Sequence, residues 1–317
     1  MTEHQCHDLF AALSDPDPGQ RQLALIQMED VADASAVEPL IRAASDPDAT
    51  VRRLAVGLLE ELGDPRSVPA VVAALCDEAA EVREAAQGAL REFRGEETAG
   101  HLIEAAAHPN PEVRRSVLLA LRELKDVRAV PVLLRGLEDP SAEVRREAVI
   151  TLAYLKRPDT ISALQRRLED DDARVRRRAV GALGYFAAPA LVPTLVPVLS
   201  DPDWQVRAEA AIVLGRIDVP QAIPALLRAL DDSHWQVTKA SAASLGALRA
   251  SAASPALVGL LQSPVPDVRR AAAYALGDLR AASAEPALRA LLGDADVEVK
   301  KAATRALDVI RSNGHHA

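Results

Sequence analysis

Aspartate and arginine recur along the chain in two columns of fixed spacing, and they could serve acid–base, anion-binding or ion-pair chemistry. Six of the eight aspartates stand six residues before an arginine; Asp294 has Lys300 there and Asp232 has Thr238. An aspartate just before a helix caps backbone N–H groups, and a carboxylate beside a guanidinium satisfies both charges. We therefore interpret both columns as structural. The aspartate column comprises Asp15, Asp46, Asp77, Asp139, Asp170, Asp201, Asp232 and Asp294, and the basic column Arg21, Arg52, Arg83, Arg114, Arg145, Arg176, Arg207, Arg269 and Lys300.

Sequence motifs of catalysis do not occur among the remaining residues. The chain has no glycine-rich phosphate loop, no Gly-x-Ser-x-Gly nucleophile motif, no CxxC pair and no HExxH zinc motif. Histidine and cysteine come together only near the two ends, where they could bind a soft metal ion. We predict neither a metal site nor a catalytic residue, and we expect the protein not to be an enzyme. The two terminal groups are His4, Cys6 and His7 at one end, and His315 and His316 at the other.

The columns recur because the chain is built on a period of 31 residues. A valine, usually followed by arginine, marks each copy, and a leucine follows it eight residues later without any insertion or deletion. A fixed period of this length is typical of a solenoid. The valines are Val51, Val82, Val113, Val144, Val175, Val206, Val237, Val268 and Val299; the leucines are Leu59, Leu90, Leu121, Leu152, Leu183, Leu214, Leu245, Leu276 and Leu307.

Each repeat predicts two short helices. In the copy at 200–230, Asp201 is the expected N-cap and Pro202 the expected first helical residue. Apolar residues follow at helical spacing from Val206, and a turn of the type seen at Gly63 then ends the helix. We call this helix, which carries the valine and arginine, the Val-Arg helix. Neither helix can bury its apolar face alone, so successive pairs must stack.

The motif Asp-Pro-x-x-x-Val-Arg-x-x-Ala, with its short period, resembles the HEAT repeats of the phycobilisome-lyase type. Most HEAT units run about 40–47 residues, so a 31-residue unit is similar to the short subclass. The resemblance implies an all-α, right-handed α-solenoid of about ten two-helix repeats. It also implies that the Val-Arg helices line a concave face.

The pattern covers nearly the whole chain, so we predict one solenoid over residues 1–317. Residues 1–32 depart from the repeat and are expected to form an N-terminal cap unit, with regular repeats over 33–292. A capping helix is expected at 293–311 and a frayed tail at 312–317. Such atypical end units are usual in repeat arrays.

Composition narrows the class of partner. The net charge of −9 makes nucleic acid an unlikely ligand, because sequence-independent binding to it needs a cationic surface. No run of about 18 apolar residues and no signal peptide are visible, which predicts no membrane span. Two cysteines do not make a disulfide framework, so we expect a cytoplasmic protein. The oligomeric state is left open.

Function should lie at positions where the repeat does not fix the residue. On each Val-Arg helix the solvent-facing positions are the two residues before the valine and those two, three, six and ten after it; we call them the exposed stripe. Every tryptophan and tyrosine of the chain falls on it, and so do two isoleucines that no core demand explains there. We predict a binding face from the aromatic residues Trp204, Trp235, Tyr154, Tyr185 and Tyr274, the isoleucines Ile150 and Ile212, and the charged residues Arg177, Arg178, Arg216 and Glu209.

Charge along the stripe is uneven, acidic in its N-terminal part and more basic near the tryptophans. Exposed aromatic residues beside arginine are the usual composition of an interface hot spot. We therefore predict a non-catalytic scaffold that binds a partner protein through its concave face, without a cofactor. The N-terminal part carries Glu61, Glu81, Glu84, Glu92, Glu112, Glu123, Glu143 and Glu147 against Arg53, Arg115 and Arg146.

The resemblance leaves an alternative function open. Lyase-type relatives imply a bilin-lyase-like or cofactor-maturation factor, which would bind a tetrapyrrole and could need a partner subunit. Deoxyhypusine hydroxylases, which share such repeats, bind iron through His-Glu pairs. None of the seven histidines here is followed by glutamate, so that activity is not expected.

Overall fold

The computed structural model describes residues 3–29 and 32–313, with side chains described over 8–29 and 32–312. Twenty α-helices and no β-strand occur among these residues. The chain forms two compact units, Met1–Leu155 and Lys156–Ala317. Within each unit a Val-Arg helix alternates with a shorter helix, and consecutive Val-Arg helices pack side by side. The predicted all-α solenoid is therefore confirmed, and the even-numbered helices below are the Val-Arg helices.

The first unit holds ten of these helices. The shorter ones run over Glu3–Ala12 (α1), Val37–Ala43 (α3), Val68–Ala74 (α5), Glu96–Ala105 (α7) and Val130–Gly136 (α9). The Val-Arg helices run over Pro18–Met28 (α2), Ala49–Leu62 (α4), Ala80–Glu92 (α6), Pro111–Leu124 (α8) and Ala142–Leu155 (α10).

The second unit repeats this arrangement. Its shorter helices run over Ile161–Arg166 (α11), Val192–Leu195 (α13), Ile223–Arg228 (α15), Ser254–Leu260 (α17) and Glu285–Ala290 (α19). Its Val-Arg helices run over Ala173–Gly184 (α12), Trp204–Arg216 (α14), Trp235–Ala247 (α16), Pro266–Asp278 (α18) and Val297–Asn313 (α20). The last helix continues two residues beyond the 311 expected from sequence, and residues 314–317 lie outside the described part.

The valine and leucine columns form the core of both units. Val51 and Leu59 of α4 have no exposed surface, and Val206 and Leu214 of α14 have none either. Between them an alanine four residues after most of the valines lets neighbouring helices approach closely. Burial of these columns is what makes each pair of helices depend on its neighbours.

The Val-Arg helices begin two residues later than the sequence predicted. Helix α14 starts at Trp204, and its N-cap is Asp203, whose carboxylate accepts from the N–H groups of Gln205 and Val206. Asp201 instead accepts the N–H of Asp203 at 2.8 Å and so closes the turn ahead of the cap. The prediction of Asp201 as N-cap and Pro202 as first helical residue was wrong, because the column aspartate is held by the preceding repeat.

The column aspartates are held by a ladder of ion pairs between neighbouring repeats. Arg207 makes two hydrogen bonds, of 2.7 and 2.8 Å, to the carboxylate of Asp232, which lies 25 residues further on. Its remaining nitrogen, Nη1, donates to the Asp201 carbonyl at 2.8 Å. The same geometry joins Arg52 to Asp77. Arg207 therefore links its own loop to the loop of the next repeat, and Arg52 does the same.

Glycine allows close contacts between helices of the second unit. Nine residues after the valine, α14 has Gly215 and α16 has Gly246. A Cβ atom added at Gly215 would lie 2.9 Å from the Cα of Ser244, and one at Gly246 would lie 2.8 Å from the Cα of Ala275. No larger residue fits at these two positions without moving the neighbouring helix.

Candidate functional site

A groove of about 510 Å³ lies between α14 and α16 in the second unit. Three of the residues predicted from sequence, Ile212, Arg216 and Trp235, line it together. The other lining residues are Ala208, Gly215, Gln236, Lys239, Ala240, Ala243, Ser244 and Ala247. The groove is therefore apolar over most of its length, with two cationic side chains and no acidic one.

Small residues create the groove. At its floor, Gly215 brings α14 against α16, where the Ser244 hydroxyl donates to the Ala211 carbonyl of α14 at 2.8 Å. Ala240 and Ala243 follow at helical spacing and leave open the space that longer side chains would fill. The opening thus results from the small residues on the two facing helices, which the repeat pattern does not prescribe.

Trp235 and Ile212 are the large apolar side chains on the groove walls, and each keeps 37% of its surface exposed. The Lys239 ammonium lies 5.6 Å from the centre of the Trp235 ring, within the range of a cation–π contact. Lys239 also reaches the Asp267 carboxylate at 3.5 Å. The tryptophan is thus held at the edge of the groove with one face towards a cation.

The predicted arginines differ in their partners. Arg177 lies 3.8 Å from Glu209 and 3.4 Å from the Gln205 side chain, so these two stripe residues connect α12 with α14. Arg178 and Arg216 are exposed and make no ion pair with any described residue. Of the two unpaired guanidiniums, only that of Arg216 lines the groove.

Trp204 lies outside the groove lining. It is half-buried, and its ring stacks on His234 with centroids 5.8 Å apart and planes 11° apart. The His234 ring is also 3.3 Å from Arg207 and 3.7 Å from Asp232, the ladder pair just below. Trp204 thus contributes to packing at the start of α16 and only indirectly to the groove.

The three tyrosines are exposed on separate helices. Tyr185 ends α12 with 63% of its surface free, and Tyr274 of α18 lies 5.8 Å below the Arg305 guanidinium. Tyr154 belongs to the first unit, where the Arg122 guanidinium lies 5.3 Å from its ring. Ile150 is in the same helix, α10, and is half-buried. These residues do not line the groove.

Helix α16 departs from the repeat more than its neighbours. Thr238 replaces the column arginine, and Ser241 replaces the alanine four residues after the valine. The buried Ser241 hydroxyl and the Gln236 side-chain oxygen have no hydrogen-bond partner among the described residues. Asp232 nevertheless forms an ion pair with an arginine, because its partner is Arg207 of the preceding repeat and not the residue at 238. Local rules are typically broken in this way at functional sites.

The ladder carboxylate below the groove is held ionised. Burial raises the pKa of Asp232, but the hydrogen bonds from the Arg207 guanidinium and the His234 N–H outweigh burial, so its pKa lies below the usual range. At the start of α12, the Arg174 side chain lowers the pKa of Asp172 to about 2. These carboxylates bind protein groups and do not face the groove, so neither offers acid–base chemistry to a ligand.

Five large apolar residues that are exposed in the described part of the chain were not predicted from sequence, namely Val127, Leu292, Val297 and two on α2. Leu23 and Ile26 of α2 keep about half of their surface free. They fall on the exposed stripe if the repeat is extended back to Gln20, where the column valine is missing. Counting the register from Gln20 would therefore have found them, and the change of residue type in the cap unit hid them.

A second groove, of about 310 Å³, lies at the equivalent place between α6 and α8 of the first unit. Its lining is polar and includes Glu84, Arg91 and Arg115. Arg115 stands two residues after its valine, as Lys239 does in α16. This groove provides a matched comparison for the apolar one.

The possible metal ligands at the chain ends cannot be compared with the structure. The side chains of His4, Cys6 and His7, and residues His315 and His316, lie outside the described residues. Within the described part, no group of three or more His, Cys, Asp or Glu side chains could hold a metal ion. Cys76 is a free and exposed thiol.

Within the described ranges, no helix is both long and apolar enough to cross a membrane.

Several solved structures share the fold. A mutant of Kap121p has a TM-score of 0.72 at 16% identity, over 98% of this chain and 42% of that one. Kap95p, which binds RanGDP, has a TM-score of 0.65 at 16% identity, over 97% and 51%. YibA of E. coli has a TM-score of 0.63 at 21% identity, over 81% and 95%. At these identities the likeness concerns the fold alone.

No curated protein sequence matches the chain. The family model of HEAT repeats matches it seven times, over residues 7–91, 73–143, 98–184, 132–199, 167–246, 192–277 and 254–314. These matches span nearly the whole sequence and agree with the stacked helix pairs of both units. The chain belongs to the HEAT-repeat family.

Proposed function

We propose that this protein is a non-catalytic scaffold that binds a partner protein through the face formed by its Val-Arg helices. The observation that carries the proposal is the groove between α14 and α16, where Trp235, Ile212 and Arg216 meet. An exposed tryptophan and an unpaired arginine beside an apolar pocket are typical of an interface hot spot. A surface of this kind costs solubility unless a partner covers it.

Known solenoids of this fold support a binding role. Kap95p binds RanGDP, and Kap121p has been solved bound to Nup53p. Both are proteins whose partners are proteins, although this chain spans only about half of either solved chain. Because fold alone does not determine function, the support they give is for the class of function and not for a particular partner.

Four finer statements belong to the same proposal. The 31-residue period supports membership of the short phycobilisome-lyase-type subclass, and the unbroken register supports one continuous array with end caps at 1–32 and 293–311. The free thiol of Cys76 suits a reducing compartment such as the cytoplasm. On this proposal the Val-Arg helices line the concave face.

A tetrapyrrole is a less suitable occupant of the groove. None of the residues that line it is a histidine, cysteine or methionine, so the groove offers no axial ligand to a haem iron and no thiol to a bilin. Incubation with haem or a bilin, followed by the visible absorption spectrum, tests the alternative directly. A shifted band that is lost on Trp235→Ala would favour the tetrapyrrole.

The scaffold proposal is tested by comparing partner capture from the native cell with wild-type protein and two variants. Trp235→Ala removes the groove wall, and Val127→Ser changes a more exposed apolar residue outside the exposed stripe. We expect Trp235→Ala to weaken binding of the captured partner by at least about 30-fold, which corresponds to roughly 2 kcal/mol. Val127→Ser should bind as the wild type does. Equal retention by all three proteins would move the binding surface away from this groove.

A further inference from the structure

We infer that the groove between α14 and α16 receives an extended acidic segment, in which one apolar side chain lies between two carboxylates four residues apart. This inference rests on the proposed function and specifies the chemistry of the partner. It follows from the charge of the groove, the spacing of its two cations and its volume.

Positive charge in the groove is not balanced. The lining contains Arg216 and Lys239 and no acidic residue. Arg216 has no ion-pair partner among the described residues, and Lys239 shares the single carboxylate of Asp267 with Arg270. A ligand that brings two carboxylates would neutralise both cations, whereas a basic or neutral ligand would leave them uncompensated.

The spacing of the two cations matches an extended chain. Lys239 stands two residues after its column valine and Arg216 ten residues after its own, on parallel neighbouring helices. Eight helical residues correspond to about 12 Å along the groove. In an extended segment, residues i and i+4 lie about 13 Å apart and point to the same side. Carboxylates at i and i+4 would therefore each reach one cation.

The volume of the groove favours an extended segment over a helix. The groove holds about 510 Å³, whereas a 12 Å length of α-helix with its side chains, about 10–12 Å across, fills roughly 1,000 Å³. The groove therefore accommodates a row of side chains from an extended chain more readily than a whole helix.

The middle of the groove suits one apolar side chain. Residue i+2 of the extended segment points the same way as the two carboxylates, and halfway between the two cations it would lie beside Ile212 and over Ala243. A tyrosine or leucine there would bury the exposed part of Ile212. The pattern acidic-x-apolar-x-acidic follows from these positions.

Two peptides of equal composition test the pattern. One repeats the unit Glu-Ser-Tyr-Ser several times and so places glutamate and tyrosine on one side of an extended chain. The other repeats Glu-Tyr-Ser-Ser and places them on opposite sides. Each is labelled with fluorescein and titrated with the full chain, with fluorescence anisotropy as the readout. We expect the first peptide to bind at least about tenfold more tightly.

Matched variants then locate the binding. Arg216→Gln and Lys239→Gln should each weaken the first peptide about fivefold or more, and Ile212→Ser should remove its advantage over the second. Arg115→Gln, at the position of Lys239 in the polar groove of the first unit, should leave affinity within about twofold. Circular dichroism of each variant checks that the fold is kept.

Three results would overturn the inference. These are equal affinity for the two peptides, an equal loss on Arg115→Gln, and binding of a single-stranded oligo-thymidylate as tight as that of the first peptide. The last would show a general anion surface. Partner capture with Trp235→Ala tests the scaffold proposal separately. If Trp235→Ala weakens capture while the two peptides bind with equal affinity, only the acidic segment is rejected.

Discussion

At the scale of single residues, every Val-Arg helix from α8 to α18 ends in a backbone conformation that glycine would adopt most easily. The residue twelve positions after the column valine has a positive φ in each case, yet glycine occupies that position only at Gly63 of α4. A side chain with Cβ is strained in this left-handed region. The other residues in this conformation are Lys125, Lys156, Ala187, Asp218, Arg249 and Arg280.

Two adjacent alanines test that strain. Ala187 has φ of 45°, whereas Ala188 is extended with φ of −88°. We expect Ala187→Gly to raise the free energy of unfolding by about 0.5–1 kcal/mol, because relief of strain exceeds the added freedom of the unfolded chain. Ala188→Gly relieves no strain and should lower it by about the same amount. Urea unfolding measures both, and a loss of stability in Ala187→Gly would contradict the argument.

At the scale of elements, the ladder joins neighbouring repeats through largely buried charge. In the first unit, Arg52 and Asp77 each keep about a tenth of their side-chain surface exposed, and two hydrogen bonds of 2.6 and 2.7 Å connect them. Asp77 also accepts the N–H of Ala79 at 2.9 Å. The pair therefore holds α4 to the start of α6, and loss of one member would leave the other charged and poorly solvated.

Acid should weaken this element in a definite window. The Arg52 hydrogen bonds lower the pKa of Asp77 below its ordinary value, although burial opposes them. A lowered carboxyl pKa contributes stability that is fully present above the unfolded pKa of about 4 and is lost as pH falls towards the folded pKa. Asp77→Asn should therefore cost about 2–3 kcal/mol at pH 7 and at pH 5, and much less at pH 3.

Urea midpoints at the three pH values measure this difference. Glu78→Gln is the control, because the Glu78 side chain next in sequence is almost fully exposed and lies 3.7 Å from Arg52. Its cost should stay below about 1 kcal/mol at every pH. A cost of Asp77→Asn that does not change between pH 7 and pH 3 would mean that the carboxylate charge contributes nothing.

The repeat sequence predicted the helices but not which groups would pair across them. Arg207 lies six residues after Asp201 and 25 before Asp232, and both distances recur through the chain, so spacing alone could not choose between them. The structure uses both, with the Asp201 carbonyl and the Asp232 carboxylate as acceptors. The choice depends on how closely neighbouring helices approach, which is a property of packing.

The candidate site was predicted only in part for the same reason. Exposure of Trp235 and Ile212 followed from their stripe positions, because helix geometry fixes which residues face solvent. That they share a groove with Arg216 depends on Gly215, whose lack of a side chain lets α16 approach. The packing of Trp204 on His234 depends on a histidine that no other repeat has at this position. Contacts made by such single residues have no periodic signal.

At the scale of the whole molecule, the exposed stripe changes sign between the two units. The first carries eight glutamates and three arginines, as given above. The second carries the basic residues Arg174, Arg177, Arg178, Arg216, Lys239, Arg270, Lys301 and Arg305 against the acidic residues Glu209, Asp267, Asp278 and Glu298. Unlike charges on equivalent positions would admit different segments of a partner to the two units.

Repetition also predicts how a perturbation spreads. In each unit a Val-Arg helix packs on its neighbouring Val-Arg helices and on the shorter helices beside it. Stability in such an array is close to a sum of repeat and neighbour contributions, so damage should remain near its origin. Leu25 of α2 and Leu214 of α14 are both fully buried, and each can be reduced to alanine.

Hydrogen exchange measured by mass spectrometry tests whether the damage stays near the substituted residue. Leu25→Ala creates a cavity worth roughly 2–5 kcal/mol and should speed exchange in α1 to α4 while leaving α16 and α18 at wild-type rates. Leu214→Ala should speed exchange in α12 to α16 and leave α2 and α4 unchanged. If either variant accelerated exchange in all helices equally, the chain would unfold as one cooperative body, and the nearest-neighbour account would be wrong.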